Sequence, residues 1–144
     1  MKRGITIVVL LALFSLSVPA EGTPNKSSWN ALGVLRNAKY FYVTSYDGPQ
    51  FSTNIDPEDR DAISTVQNAL QDSGFILVYR PAEADMVVAV QARPSSDLLV
   101  VYEAGRFRTG TYLWRAEAKN GLSGSNPVLV QQLERAMEIA GGNS

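Results

Sequence analysis

Hydrophobic and polar positions along the chain switch between two periods, and those periods outline its elements. Residues 39–46 (KYFYVTSY) are dense in aromatic and β-branched side chains, the composition of a pleated strand, and Asp47-Gly48-Pro49 stops the run. Past Asp56 the period becomes helical, with Ile63, Val66, Ala69 and Leu70 on one stripe. Asp56 stands at the N-cap position, Pro57 at the first helical position, and Glu58, Asp59 and Asp61 follow in the first turn. With Gly74 as the stop, the pattern predicts a helix over 57–73.

Residues 75–79 (FILVY) form a short, wholly apolar run and predict a buried strand; Arg80-Pro81-Ala82-Glu83 turns the chain. Strands are expected at 86–92 (MVVAVQA) and 98–104 (LLVVYEA), separated by Pro94-Ser95-Ser96. The stretch 105–110 (GRFRTG) reads as a hairpin loop, and 111–119 (TYLWRAEAK) as the returning strand. There Tyr112, Trp114, Ala116 and Ala118 would share one face, with Thr111, Arg115, Glu117 and Lys119 on the other. Asn120-Gly121 and Gly124 make the next loop. Asn126 then caps a second helix with Pro127 at its first position, and Leu129, Leu133, Ala136, Met137 and Ala140 give it an apolar stripe ended by Gly141-Gly142. Residues 29–37 (WNALGVLRN) read as either a short helical turn or an extended lead-in.

The order is β-α-β-β-β-β-α, an α+β class. It predicts one mixed, mostly antiparallel sheet of about five strands. The first strand and the strand after the first helix should be parallel neighbours through a right-handed crossover. Each helix has a single apolar stripe, so both should cover the same sheet face.

The amino terminus follows a different rule. Met1-Lys2-Arg3 is cationic, residues 5–16 are almost wholly apolar, and Ser17-Val18-Pro19-Ala20 leads to Glu21. This is the pattern of a secretory signal peptide over residues 1–20, cut after Ala20. The apolar run is short of the roughly 20 residues a transmembrane span needs. Residues 21–28 (EGTPNKSS) read as a flexible leader, and 29–142 as a single α/β domain. The expected product is exported, periplasmic or extracellular, and free of the membrane.

Composition narrows the chemistry. The 144 residues include no Cys and no His. That leaves no disulfide framework, no thiolate nucleophile, no lipidated amino terminus, no imidazole acid or base and no Ser-His-Asp triad. Thirteen Lys and Arg face fourteen Asp and Glu, so no general attraction to nucleic acid is expected. Losing Lys2 and Arg3 with the signal peptide would leave eleven bases against fourteen acids, a net charge of −3.

Candidate reactive groups reduce to ordinary ones. The acids Asp56, Glu58, Asp59 and Asp61 fail the helix–loop calcium pattern. Counting from Asp56, loop positions six and twelve hold Asp61 and Gln67 instead of Gly and Glu. They read as partners of the positive end of the helix dipole. In 121–125 (GLSGS) the second Gly of a nucleophile elbow is replaced by Ser125, and the segment reads as a loop. Carboxylates such as Glu103 and Glu117 lie on strands expected to pair and are candidates for a glycosidase acid pair, but nothing suggests a deep cleft around them. No phosphate-cradling Gly motif is present. The expectation is therefore a protein without catalytic residues, metal or cofactor.

Two features suggest binding. Tyr40, Tyr42 and Tyr46 fall at even positions of the first strand, opposite Phe41 and Val43. If the helices cover the Phe41/Val43 side, a tyrosine row remains on an open face, fit for a protein partner, for sugar stacking or for cross-strand packing. A homodimer pairing two open faces would also use it. The second feature is the hairpin tip, where Arg106 and Arg108 flank Phe107; it reads as a contact surface or as a solvated loop.

Residues 38–92 resemble the β-α-β-β units of bacterial envelope proteins such as the TolB amino-terminal domain and the curli-secretion assembly factor. The likeness rests on KYFYVTSY, a helix ending in Leu70-Gln71-Asp72-Ser73-Gly74 before FILVY, and Ala84-Asp85 opening MVVAV. With Tyr112-Leu113-Trp114-Arg115 and the terminal helix, the whole chain is similar to exported bacterial α/β proteins of its size. The resemblance carries no catalytic residue. It implies an accessory or interaction role beside another envelope protein, with a periplasmic or secreted binder of a small molecule or glycan as the alternative.

Overall fold

The computed structural model describes residues 29–48, 54–107 and 112–142. The expected signal peptide and leader, and Arg108 of the hairpin tip, lie outside the described residues. The chain is α+β: helix α1 (Trp29–Asn37), strand β1 (Tyr40–Ser45), helix α2 (Pro57–Asp72), strands β2 (Ile76–Leu77), β3 (Met86–Gln91), β4 (Asp97–Glu103) and β5 (Trp114–Ala118), then helix α3 (Val128–Ala140). Short 3-10 turns at Pro81–Glu83 and Ala104–Arg106 complete it. No helix among the described residues is long and apolar enough to cross a membrane.

The strands form one mixed sheet in the order β2-β1-β3-β4-β5. β1 is parallel to both β2 and β3, whereas β3–β4 and β4–β5 are antiparallel. By registered residue pairs the antiparallel ladders dominate, eleven to seven. The parallel contact of β1 with β2 is the pairing expected of a strand–helix–strand crossover.

Register sorts side chains onto two faces. Phe41 pairs with Met86 and Val43 with Val88, while Val88 faces Val101, which faces Trp114. These residues make one core with Leu35 of α1, Ile63, Val66 and Leu70 of α2, and Leu129, Leu133 and Met137 of α3. All three helices thus cover one face. α1, which the sequence left between helix and extended chain, takes the helical form.

The opposite face is covered as well. Tyr42, Val87, Ala89, Leu98, Val100 and Tyr102 are buried there, with Val78, Ala84, Ala104, Phe107 and Tyr112 packed against them. Covering this face explains why β3 and β4 read as near-continuous apolar runs: both sides are dry. It also displaces Tyr112 from its expected place beside Trp114. β5 begins at Trp114, and the irregular residues before it let Tyr112 join the second cluster while Leu113 joins the main core.

Other details differ from expectation. FILVY contributes only two paired residues, at the sheet edge, and Ile76 is 48% exposed rather than buried. α3 starts at Val128 with Pro127 at the N-cap, one residue later than expected. Asp56 precedes α2 but makes no side-chain capping bond, because its carboxylate is turned to Arg93, 3.7 Å away.

Candidate functional site

Two surfaces gather exposed or polar groups. The first is the β2 edge. Tyr40 pairs with Ile76 in register, and Tyr79 follows two residues after β2. Tyr40 is 42% exposed, its register partner Ile76 48%, and Tyr79, in the bend after β2, 62%. The amides of Ile76 and Val78 donate to the carbonyls of Lys39 and Phe41 at 2.9 Å each. Alternation along a strand then turns the N–H and C=O of Leu77 away from the sheet. Asp85 anchors the neighbouring end of β1: its carboxylate accepts the Lys39 amide at 2.8 Å and the Tyr40 amide at 3.0 Å.

The second surface lies where the parallel strands β1 and β3 end, the side on which open α/β sheets hold ligands. A cleft of about 620 Å³ is lined by Asp56, Glu58, Thr65, Arg93, Asn120 and Ser123, with Ala62 and Leu122 among its apolar groups. Of two buried carboxylates nearby, Asp97 lines it and Asp59 holds the amide of its lining residue Ala92. Asp59 accepts from the Ser45 hydroxyl at 3.1 Å and from the Ala92 amide at 2.6 Å, tying α2 to both parallel strands. Asp97 accepts from the Arg93 amide at 3.2 Å and the Leu122 amide at 3.0 Å, tying the β3–β4 turn to the loop before α3. Arg93 bonds Asp47 at 2.8 Å, and Gln91 donates to the same carboxylate at 3.0 Å.

Asp59 was hidden in the sequence among acids attributed to the helix dipole. Its signal was position: residues 59, 63, 66 and 70 share one helical stripe, so Asp59 points inward with the apolar residues. Among the described residues no three His, Cys, Asp or Glu side chains gather as metal ligands would.

The sequence-predicted binding residues separate. Tyr40 and Tyr46 are exposed, but they sit at opposite ends of β1, about 20 Å apart at strand rise. Tyr42 between them is 5% exposed and packed in the second cluster, so there is no open tyrosine row. Phe107 turns inward and meets the Tyr102 ring edge-on, with centroids 5.4 Å apart and an interplanar angle of 71°. The expected solvent-facing aromatic tip is therefore a brace on the sheet. The Arg106 backbone belongs to the adjoining 3-10 turn; its side chain, like Arg108, lies outside the described residues.

The acid pair is also taken apart. Glu103 pairs with Met86 at one end of β4, whereas Glu117 faces Leu98 near the other, some five residues along the strand. Glu117 instead bonds Arg115. Comparison with protein-family models, with curated proteins and with solved structures finds no match for this chain.

Proposed function

We propose that this chain is an exported accessory module of the bacterial cell envelope that acts by holding another protein chain and performs no chemistry of its own. The observation that carries the reading is the β2 edge, where Tyr40, Ile76 and Tyr79 are exposed beside outward-facing backbone groups. β2 is short, which limits edge pairing, but it carries no charge or proline, and tyrosine is enriched where partners dock. The cationic start and apolar run of residues 1–16 support export.

Export is tested by fractionating cells and sequencing the amino terminus of the product, which should begin at Glu21. Binding is tested by cross-linking in the intact envelope with the natural chain and an Ile76→Lys/Tyr79→Lys variant. The variant should lose the cross-linked partner. Identical partners for both would remove the edge from the account.

A second reading has its own observation, the cleft at the ends of β1 and β3. There the chain would bind a small molecule or glycan. Screening cell-wall fragments and sugars by thermal shift separates the two, because a bound ligand raises the melting temperature.

A further inference from the structure

We propose that the cleft at the ends of β1 and β3 is a seat for a small organic cation, a primary ammonium on a short aliphatic body. The inference deepens the second reading above, that this cleft binds a small molecule, and names the chemistry of the ligand.

Topology places the cleft where an open sheet leaves room. From the end of β1 the chain enters α2 and returns as β2 on one side; from the end of β3 it turns to β4 on the other. The two connections part between β1 and β3, and a crevice at such a switch point is where open α/β sheets hold ligands. Its walls come from the first turns of α2, the β3–β4 turn and the loop before α3.

Asp97 sets the chemistry. It lines the cleft at 6% exposure and belongs to β4, not to the helix. Its oxygens accept the amides of Arg93 and Leu122, and it has no ion pair among the described residues. A carboxylate offers about four acceptor sites, so two amides leave it with acceptors to spare. Burying such a charge without a counter-ion is costly. Arg93 is the one cation among the lining residues, and its guanidinium is turned to Asp47 at 2.8 Å and Asp56 at 3.7 Å. The positive partner of Asp97 is therefore missing from the cleft wall.

The facing wall has the same sign. Glu58, Asp61, Ala62 and Thr65 share the cleft side of α2, spaced i, i+3, i+4 and i+7. The helix dipole accounts for Glu58 in the first turn, but Asp61 lies beyond that turn, where the dipole has faded. Neither has an ion pair among the described residues. Ala62, Pro94 and Leu122 give apolar wall for the carbon atoms of a ligand. Lining acids outnumber bases four to one, which disfavours an anion, and no aromatic side chain lines the cleft to stack on a sugar ring.

The test uses the chain expressed from its full sequence and purified in the form the cell leaves it. Putrescine, butanediol and succinate share a four-carbon body and differ in charge. Titration calorimetry should show binding of putrescine alone, weakening with added salt. Asp97→Asn removes the buried charge at nearly constant shape and should abolish binding. Glu58→Gln/Asp61→Asn, at exposed positions, should weaken it about fivefold. Glu83→Gln/Glu138→Gln removes as much charge from the surface elsewhere and should change nothing. Should Asp97→Asn fail to fold, the two double variants decide.

Equal weakening by both double variants overturns the site, because putrescine then reads only net charge. If butanediol binds as tightly as putrescine, or a neutral sugar raises the melting temperature while putrescine does not bind, the cation falls and the cleft survives as a small-molecule site. Tighter binding of succinate overturns the cation likewise. If none of the three probes binds and no sugar or cell-wall fragment shifts melting, both fall.

Discussion

Asp59 shows how one residue can carry more structure than its neighbours of the same charge. Its carboxylate is 1% exposed and satisfies a buried hydroxyl and a backbone amide on adjacent parallel strands. Replacing it by Ala leaves both donors unpaired, at about 1–3 kcal/mol each. Chemical denaturation should show Asp59→Ala losing stability while Asp61→Ala, exposed two residues later, stays within about 0.5 kcal/mol. The tyrosines of β1 divide in the same way. Tyr42→Ala should cost about 3–5 kcal/mol, the usual range for a buried aromatic, and Tyr40→Ala far less. Equal losses would mean that the second sheet face is not packed. Gly121 is constrained by space: a Cβ there would stand 2.6 Å from the Leu129 side chain and 3.0 Å from Ala118. Gly121→Ala should therefore destabilise by about 1–3 kcal/mol, measured the same way. Asn120 beside it holds φ 54°, a left-handed conformation that Asn tolerates better than most residues.

At the scale of elements, the helices and the central strands were legible because one strong period governs each. α2 combines an apolar stripe with proline at its start and glycine at its end, and the structure places it within a residue of expectation. β3 and β4 were legible as apolar runs for the same reason. What escaped was set by contacts distant in sequence. FILVY has the composition of a buried strand, but its depth depends on whether another strand lies outside it, and none does within the described chain. The 105–110 segment shows polar and aromatic residues in a loop pattern, yet Phe107 packs on Tyr102 because the second sheet face is apolar. Local pattern cannot report which face a loop returns to. The candidate site was legible only in part: Tyr40 was identified, but its neighbours Ile76 and Tyr79 became surface residues only through the strand order. An exposed edge should also tolerate change. Ile76→Lys/Tyr79→Lys should leave the stability within about 0.5 kcal/mol of the natural chain, whereas Leu133→Ala, in the core under α3, should cost about 2–5 kcal/mol.

The whole molecule is a sheet with both faces covered and its two edges treated differently. On the β5 side, Arg115 and Glu117 alternate with buried Trp114 and Ala116, and such charges discourage further pairing. On the β2 side a short strand presents exposed Ile76 and the outward backbone of Leu77 without such charges. This asymmetry is the central claim, and amide hydrogen exchange at Leu77 tests it most directly. In the free chain that amide faces water and should exchange freely; in envelope extract a docked partner should protect it, and Ile76→Lys/Tyr79→Lys should abolish the protection. Fast exchange of the Leu77 amide with and without extract would contradict the account.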